Sequence, residues 1–281
     1  MHANRTGGPT LQARRLVLAT SLASFASFGS LAPFTSFALL ACAAPAAWAQ
    51  TAFQSVGVFS LLGDSVQVTV STDAPKDTRI ERTERYVVEA KGIGFDNIAL
   101  RALRDALKTA QPQAVVELYK APTPLAPEEQ RAVAEGAASA ELPAWIVQTI
   151  NAQRHSHIIL VTRNRGEVNI RTANGIAIGR GVAMGIGYYI DTLYEVRDLQ
   201  TGAMSAGALA PYVHVRLTLM DAQSGAVLRT YELREGLLVG DRQGKGSSDP
   251  WSFLNGEQKV TTLRNQAEIG LARGARELLK P

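Results

Sequence analysis

Cysteine is nearly absent: the 281 residues hold one, Cys42. Histidine is scarce, with four in the chain, and aromatic residues make up only 6%. The first 49 residues contain no acid, and Arg5, Arg14 and Arg15 are their only charged side chains. Each shortage excludes something. Beyond Cys42 there is no disulfide, no thiolate nucleophile and no cysteine-ligated metal. His155, His157 and His214 are the only histidines past the leader, few for a three-ligand zinc site. The chain has 29 basic and 25 acidic residues, a net +4; three of the bases precede position 50, so 26 remain against 25 and the remainder carries only +1. That balance does not support a basic nucleic-acid-binding face. At 46% hydrophobic, the composition is that of a globular chain, neither disordered nor collagen-like.

What is present begins with an address. The stretch 16–49 is uncharged and ends Ala47-Trp48-Ala49-Gln50. This is the small-x-small pattern that a signal peptidase cleaves. Residues 1–49 therefore read as a secretory signal peptide cut after Ala49, and residues 50–281 as a single exported domain, periplasmic or secreted. Three variants compete. Leu39-Leu40-Ala41-Cys42 resembles a lipobox, whose lipidated Cys42 would tether an outer-membrane lipoprotein. An uncleaved anchor is long enough but is interrupted by Pro33 and rich in Ser, Thr and Ala. Arg14-Arg15 partly matches a twin-arginine export signal.

Beyond the leader the periodicity alternates between strand and helix. Val66, Val68 and Val70 alternate with polar residues, and Gly63-Asp64 separates them from the apolar run 54–62. This predicts an opening hairpin. A polar loop over 71–85 and a short strand over 85–90 follow. Asp96 is read as the N-cap of a helix that Pro112 ends. A strand follows at 114–119, then a polar helix at 128–138, a helix opened by Pro143 and a central strand at 157–162. Asp198-Leu-Gln-Thr-Gly202 and Asp221-Ala-Gln-Ser-Gly225 are repeated turns between strands at 186–196, 212–220 and 226–233. In the middle strand Val213, Val215, Leu217 and Leu219 face one way, and Tyr212, His214, Arg216 and Thr218 the other. Residues 240–250 read as a flexible loop, and 256–280 as a closing helix. The fold class is α+β, a mixed and largely antiparallel sheet with helices packed on one face.

Repeated turns of this kind, after two helix–strand units and before a C-terminal helix, resemble outer-envelope accessory proteins. The curli-secretion lipoprotein, the penicillin-binding-protein-activator lipoprotein and the N-terminal domain of the Tol translocation protein are of that kind. The resemblance covers 54–281 by element order. It implies a non-catalytic binding or assembly factor whose partner is an envelope protein or a second copy.

Three constellations carry chemistry. Gly63-Asp64-Ser65 resembles the first block of GDSL esterases, with Ser65 as nucleophile, and frames the alternative reading of a hydrolase. That family turns into a helix after the serine and needs a late Asp-x-x-His, which is missing here. His155-x-His157 can place two imidazoles on one strand face, as metal ligands. Gly179, Arg180, Gly181, Gly185 and Gly187 belong to a segment whose alternate positions are all Gly or Ala. Such a face permits close approach of a second backbone and defines the expected interaction surface. In the curli-secretion group a segment of this type forms pore strands, but Arg180 on the larger-residue face argues against lipid. The segment lacks a dinucleotide frame, and no cofactor is implied. Arg163, Arg165, Arg171 and Arg180 suggest an anionic site or a solvated face. Trp145 and Trp251 read as sugar-stacking platforms or core anchors.

Overall fold

A computed structural model describes residues 53–72, 82–90, 92–123, 125, 129–130, 132–133, 142–168, 170–171, 177–179, 181–197, 204–240 and 249–280. The leader with Ala47, Ala49, Gln50 and Cys42, the first Asp-Gly turn, most of the helix at 128–138 and the loop after Gly240 lie outside them. Arg180 does too.

Among the described residues, the main sheet has eight strands. Its plan is a set of broken columns beside one unbroken strand. β1 (Ser55–Ser60) and β2 (Ser65–Thr72) follow each other in the same direction. β1 pairs with β4 (Val115–Lys120) and β5 (His157–Arg163), both parallel. β2 pairs antiparallel with β3 (Arg82–Glu89) and parallel with β10 (Ile186–Arg197). β5 and β10 lie in turn along β11 (Met204–Asp221), which takes β10 on its first half and β5 on its second. β12 (Val227–Gly236) covers the other edge of β11.

The opening hairpin is therefore corrected. The Gly63-Asp64 step reads locally as a turn, but each half of the chain finds its hydrogen-bond partners in different strands. No local pattern encodes that choice. The second turn is as expected: Asp221 Oδ1 accepts from the backbone N–H groups of Gln223 and Ser224, and Gly225 takes φ 69°.

The α+β class holds, with helices on both faces rather than one. α1 (Phe95–Ala110) and α3 (Gly256–Leu278) pack on the first face, where Val58, Val161, Val215 and Leu217 meet Leu103 and Leu271. On the second face, α2 (Ala144–Gln153) seats Ile146 against Phe59, Leu61 and Leu160. Asp96 is not the N-cap of α1; Gly94 is, in a left-handed conformation. The Asp96 carboxylate is drawn instead to the end of β1, accepting from Ser60 Oγ at 2.6 Å and from the N–H groups of Leu62 and Gly63. α3 opens with a capping box, Asn255 and Gln258 exchanging bonds of 2.8 and 2.9 Å. Among the described residues, no helix is long and apolar enough to cross a membrane.

Candidate functional site

The second break in the columns carries an insertion. Between β5 and β10 the chain leaves the sheet as a β arm, described at 165–168, 170–171, 177–179 and 181–184. β6 (Arg165–Glu167) pairs with β9 (Val182–Met184), and β7 (Ile170–Arg171) with β8 (Ala177–Ile178). The ladder closes beneath it. Asn164 N–H donates to His214 O, His214 N–H to Gly185 O, and Gly185 N–H to Asn164 O, at 2.7–2.9 Å. The arm folds back on the sheet face that α2 leaves open. Val168, Ile170 and Ala183 are buried there against Tyr189, Ala208, Ala210 and Tyr212.

Gly179 (φ 102°), Gly181 (φ 79°) and Gly185 (φ 70°) interrupt the run that alternation reads as one strand. The close approach permitted by small residues is made within the molecule. A Cβ on Gly187 would lie 1.8 Å from Gln67 O, one on Gly179 2.5 Å from Val168, and one on Gly185 2.9 Å from Arg163.

Arg163 is not part of a surface anion site. Its side chain enters the gap left by the two column breaks and donates to Leu62 O at 2.7 Å and Ser65 O at 2.6 Å. Arg165 is exposed on the arm, so the proposed arginine cluster does not assemble around Arg163.

Ser65 opens β2 opposite Glu89, and the chain continues as a strand where an esterase elbow would enter a helix. Asp64 Oδ1 is buried without a hydrogen-bond partner. The described histidines are placed elsewhere. The buried His155 joins a partly buried chain at the start of β1: its Nδ1 meets Ser55 Oγ at 2.9 Å and its Nε2 meets Tyr119 OH at 3.0 Å. Tyr119 OH donates to Glu117. Burial holds the His155 pKa below its usual value against the pull of Glu117, and burial likewise lowers that of His157. His157 packs on Phe53 with ring centroids 4.5 Å apart and bonds Ser156 Oγ. His155 lies with Tyr119 and Phe59 on the α2 face. His157 lies with Phe53 and Leu278 on the α3 face. The two imidazoles diverge, which corrects the expectation of a shared ligand face. Trp145 and Trp251 are both anchors: Trp145 packs on Phe59, and Trp251 packs on Tyr188 with Lys259 Nζ 4.3 Å from its ring centroid.

Two features escaped the sequence. The first is the exposure of β3, the strand expected over 85–90, at the outer side of the sheet. Tyr86, Val87 and Val88 are 51%, 66% and 50% exposed. Arg85 Nη2 reaches across to Val182 O of the arm, tying that edge to it. The second is a cavity of about 520 Å³ at the arm's root, with His214 and Tyr212 on its sheet side. The alternation of polar residues along β11 was its signal. The contributions of Arg234 and Arg273 had none, because they arrive from β12 and α3.

No family profile and no curated protein matches this sequence. Solved structures similar to it include the PelC dodecamer from Paraburkholderia phytofirmans, 14% identical with a TM-score of 0.30, covering 82% of this chain and 89% of that one. A neuraminyllactose-binding hemagglutinin homolog from Helicobacter pylori is 8% identical with a TM-score of 0.36, covering 81% and 86%. Protein XCC0632 from Xanthomonas campestris is 10% identical with a TM-score of 0.31, covering 83% and 85%.

Proposed function

We propose that this chain is an exported, non-catalytic binding or assembly factor of the bacterial cell envelope, and that it engages its partner through the β3 edge beside the arm. The exposure of β3 carries this reading. An edge strand offers a row of backbone donors and acceptors, and proteins normally blunt such edges with charge, proline or bulges. Here Glu84, Arg85 and Glu89 place charge along the strand, but between them three consecutive large apolar residues stand in solvent. Addition of a strand is a recurring mode of protein recognition, with backbone bonds giving affinity and alternate side chains specificity.

The leader supports export, and the sequence's resemblance in element order to the curli-secretion and penicillin-binding-protein-activator lipoproteins supports an assembly role. The partner is a second copy or another envelope protein. The test is a photo-crosslinking residue at position 87, where exposure lets the fold tolerate it. Crosslinking in cells expressing the full chain should give a discrete adduct, identified by mass spectrometry as either partner. Val87→Lys should abolish the adduct formed from a probe at position 88. An absence of discrete adducts from both positions sinks the reading.

A further inference from the structure

The cavity at the arm's root has its own chemistry, independent of the edge. His214 forms its floor and is 5% exposed. One ring nitrogen bonds the Ala183 carbonyl. Among the described residues Nδ1 has no hydrogen-bond partner, so that bond belongs to Nε2. Burial pushes the His214 pKa down to about 4, keeping the ring neutral near pH 7. A neutral imidazole donating from Nε2 has a lone pair at Nδ1. This is a buried acceptor that lacks a donor.

Two guanidiniums stand above it. Arg234 and Arg273 are half exposed, each with one described carboxylate bond, to Glu232 and Glu235 respectively. Each retains further N–H donors. A Cβ on Gly166 would lie 3.2 Å from both Arg234 Nε and His214 Nδ1, so the glycine leaves open a gap that both nitrogens face. Glu167 and Glu235 also line the cavity, and Val168 and Ile170 provide an apolar wall. The acids disfavour a bare polyanion and leave acceptors for hydroxyls.

We propose that this cavity binds a singly charged hydroxy acid of the acidic-sugar type. The carboxylate sits on Arg234, one hydroxyl donates to His214 Nδ1, and the C–H face of the ligand lies along Val168 and Ile170. Arginine forks suit carboxylates, and the cavity has the volume typical of small-molecule sites.

The test is calorimetric titration of the purified exported protein with D-glucuronate, and with D-glycerate as a smaller hydroxy acid. D-glucose and inorganic phosphate serve as comparisons. One of the two hydroxy acids should bind saturably, at least about tenfold tighter than glucose or phosphate, the difference of roughly one charge-assisted hydrogen bond. Gly166→Ala should weaken that binding about tenfold with a modest fall in melting temperature, because the half-exposed Arg234 can give way while the buried His214 ring must shift slightly. The side-chain nitrogen spectrum should show His214 Nδ1 shifting on binding. If neither acid binds saturably, the proposal falls. It falls equally if phosphate or glucose matches them, or if Gly166→Ala binds as well as the parent.

Discussion

A guanidinium 7% exposed, held by two backbone carbonyls, sets the terms at the scale of single residues. Arg163 fills the place where two strands end together, and burial lowers its pKa against the charges of Tyr212, Asp96 and Asp64. Hydrogen bonds from a charged donor contribute roughly 1.5–3 kcal/mol each. Arg163→Met should therefore cost about 3 kcal/mol or more in urea unfolding. Arg163→Lys should recover only part of this, since it lacks the fork. An unchanged midpoint in the methionine variant would remove Arg163 from the account. His214 makes a pH prediction. Its pKa falls from 6.5 unfolded to about 4 folded. Above pH 6.5 both states are neutral. Below it the unfolded chain takes up the proton first, so stability is lost as pH falls from 6.5 towards 4. His155 and His157 shift in the same direction. At one pKa unit per roughly 1.4 kcal/mol, the His214 contribution is about 3 kcal/mol. Urea unfolding at pH 7 and pH 4.5 measures it, and His214→Gln should flatten the difference.

Elements differ in how much of them was readable from local pattern. The second half of β11 was legible because Val213, Val215, Leu217 and Leu219 alternate with polar residues, and the turn at Asp221–Gly225 is local chemistry; the first half, from Met204, which pairs with β10, was not expected. α3 was legible from its apolar spacing, although its capping box was missed. Asn255→Ala should cost about 1 kcal/mol, read from thermal unfolding. The pairing of β1 and β2 was not legible, because register belongs to whichever strand lies alongside, and those partners come from far down the chain. The glycine segment was half legible. Its small residues do mark close approach, but the backbone approached at Gly187 is Gln67 of the same chain. Gly187→Ala should prevent β2 and β10 from pairing and leave the protein insoluble or molten, judged by near-ultraviolet circular dichroism. A native spectrum would mean the two strands can part at little cost. The candidate sites fared as expected for features made by several elements. His214 was visible as a polar residue on a central strand, whereas its arginine neighbours were not.

At the scale of the whole molecule, export and tethering decide where the other properties operate. Expression of the full chain should yield a soluble species beginning at Gln50, seen by intact mass. A membrane species beginning at acylated Cys42 would instead place the β3 edge and the cavity at a lipid surface. The broken columns reach further. β4, β1 and β5 form one leaf, and β3, β2 and β10 another. β11 runs unbroken past both, with β12 along its far edge. Arg163 laces the leaves to each other through Leu62 O and Ser65 O, beside the Gly185 N–H bond to Asn164 O and a shared apolar core. Cooperative unfolding units often coincide with such supersecondary pieces. Amide hydrogen exchange should therefore find three rates: slowest along β11, with the two leaves exchanging separately and faster. In Arg163→Met the leaf holding β3 should open first, since neither α1 nor α2 has its principal contacts there. The molecule would then breathe as a book does, turning on a single spine while the outer page that bears the exposed edge opens and closes.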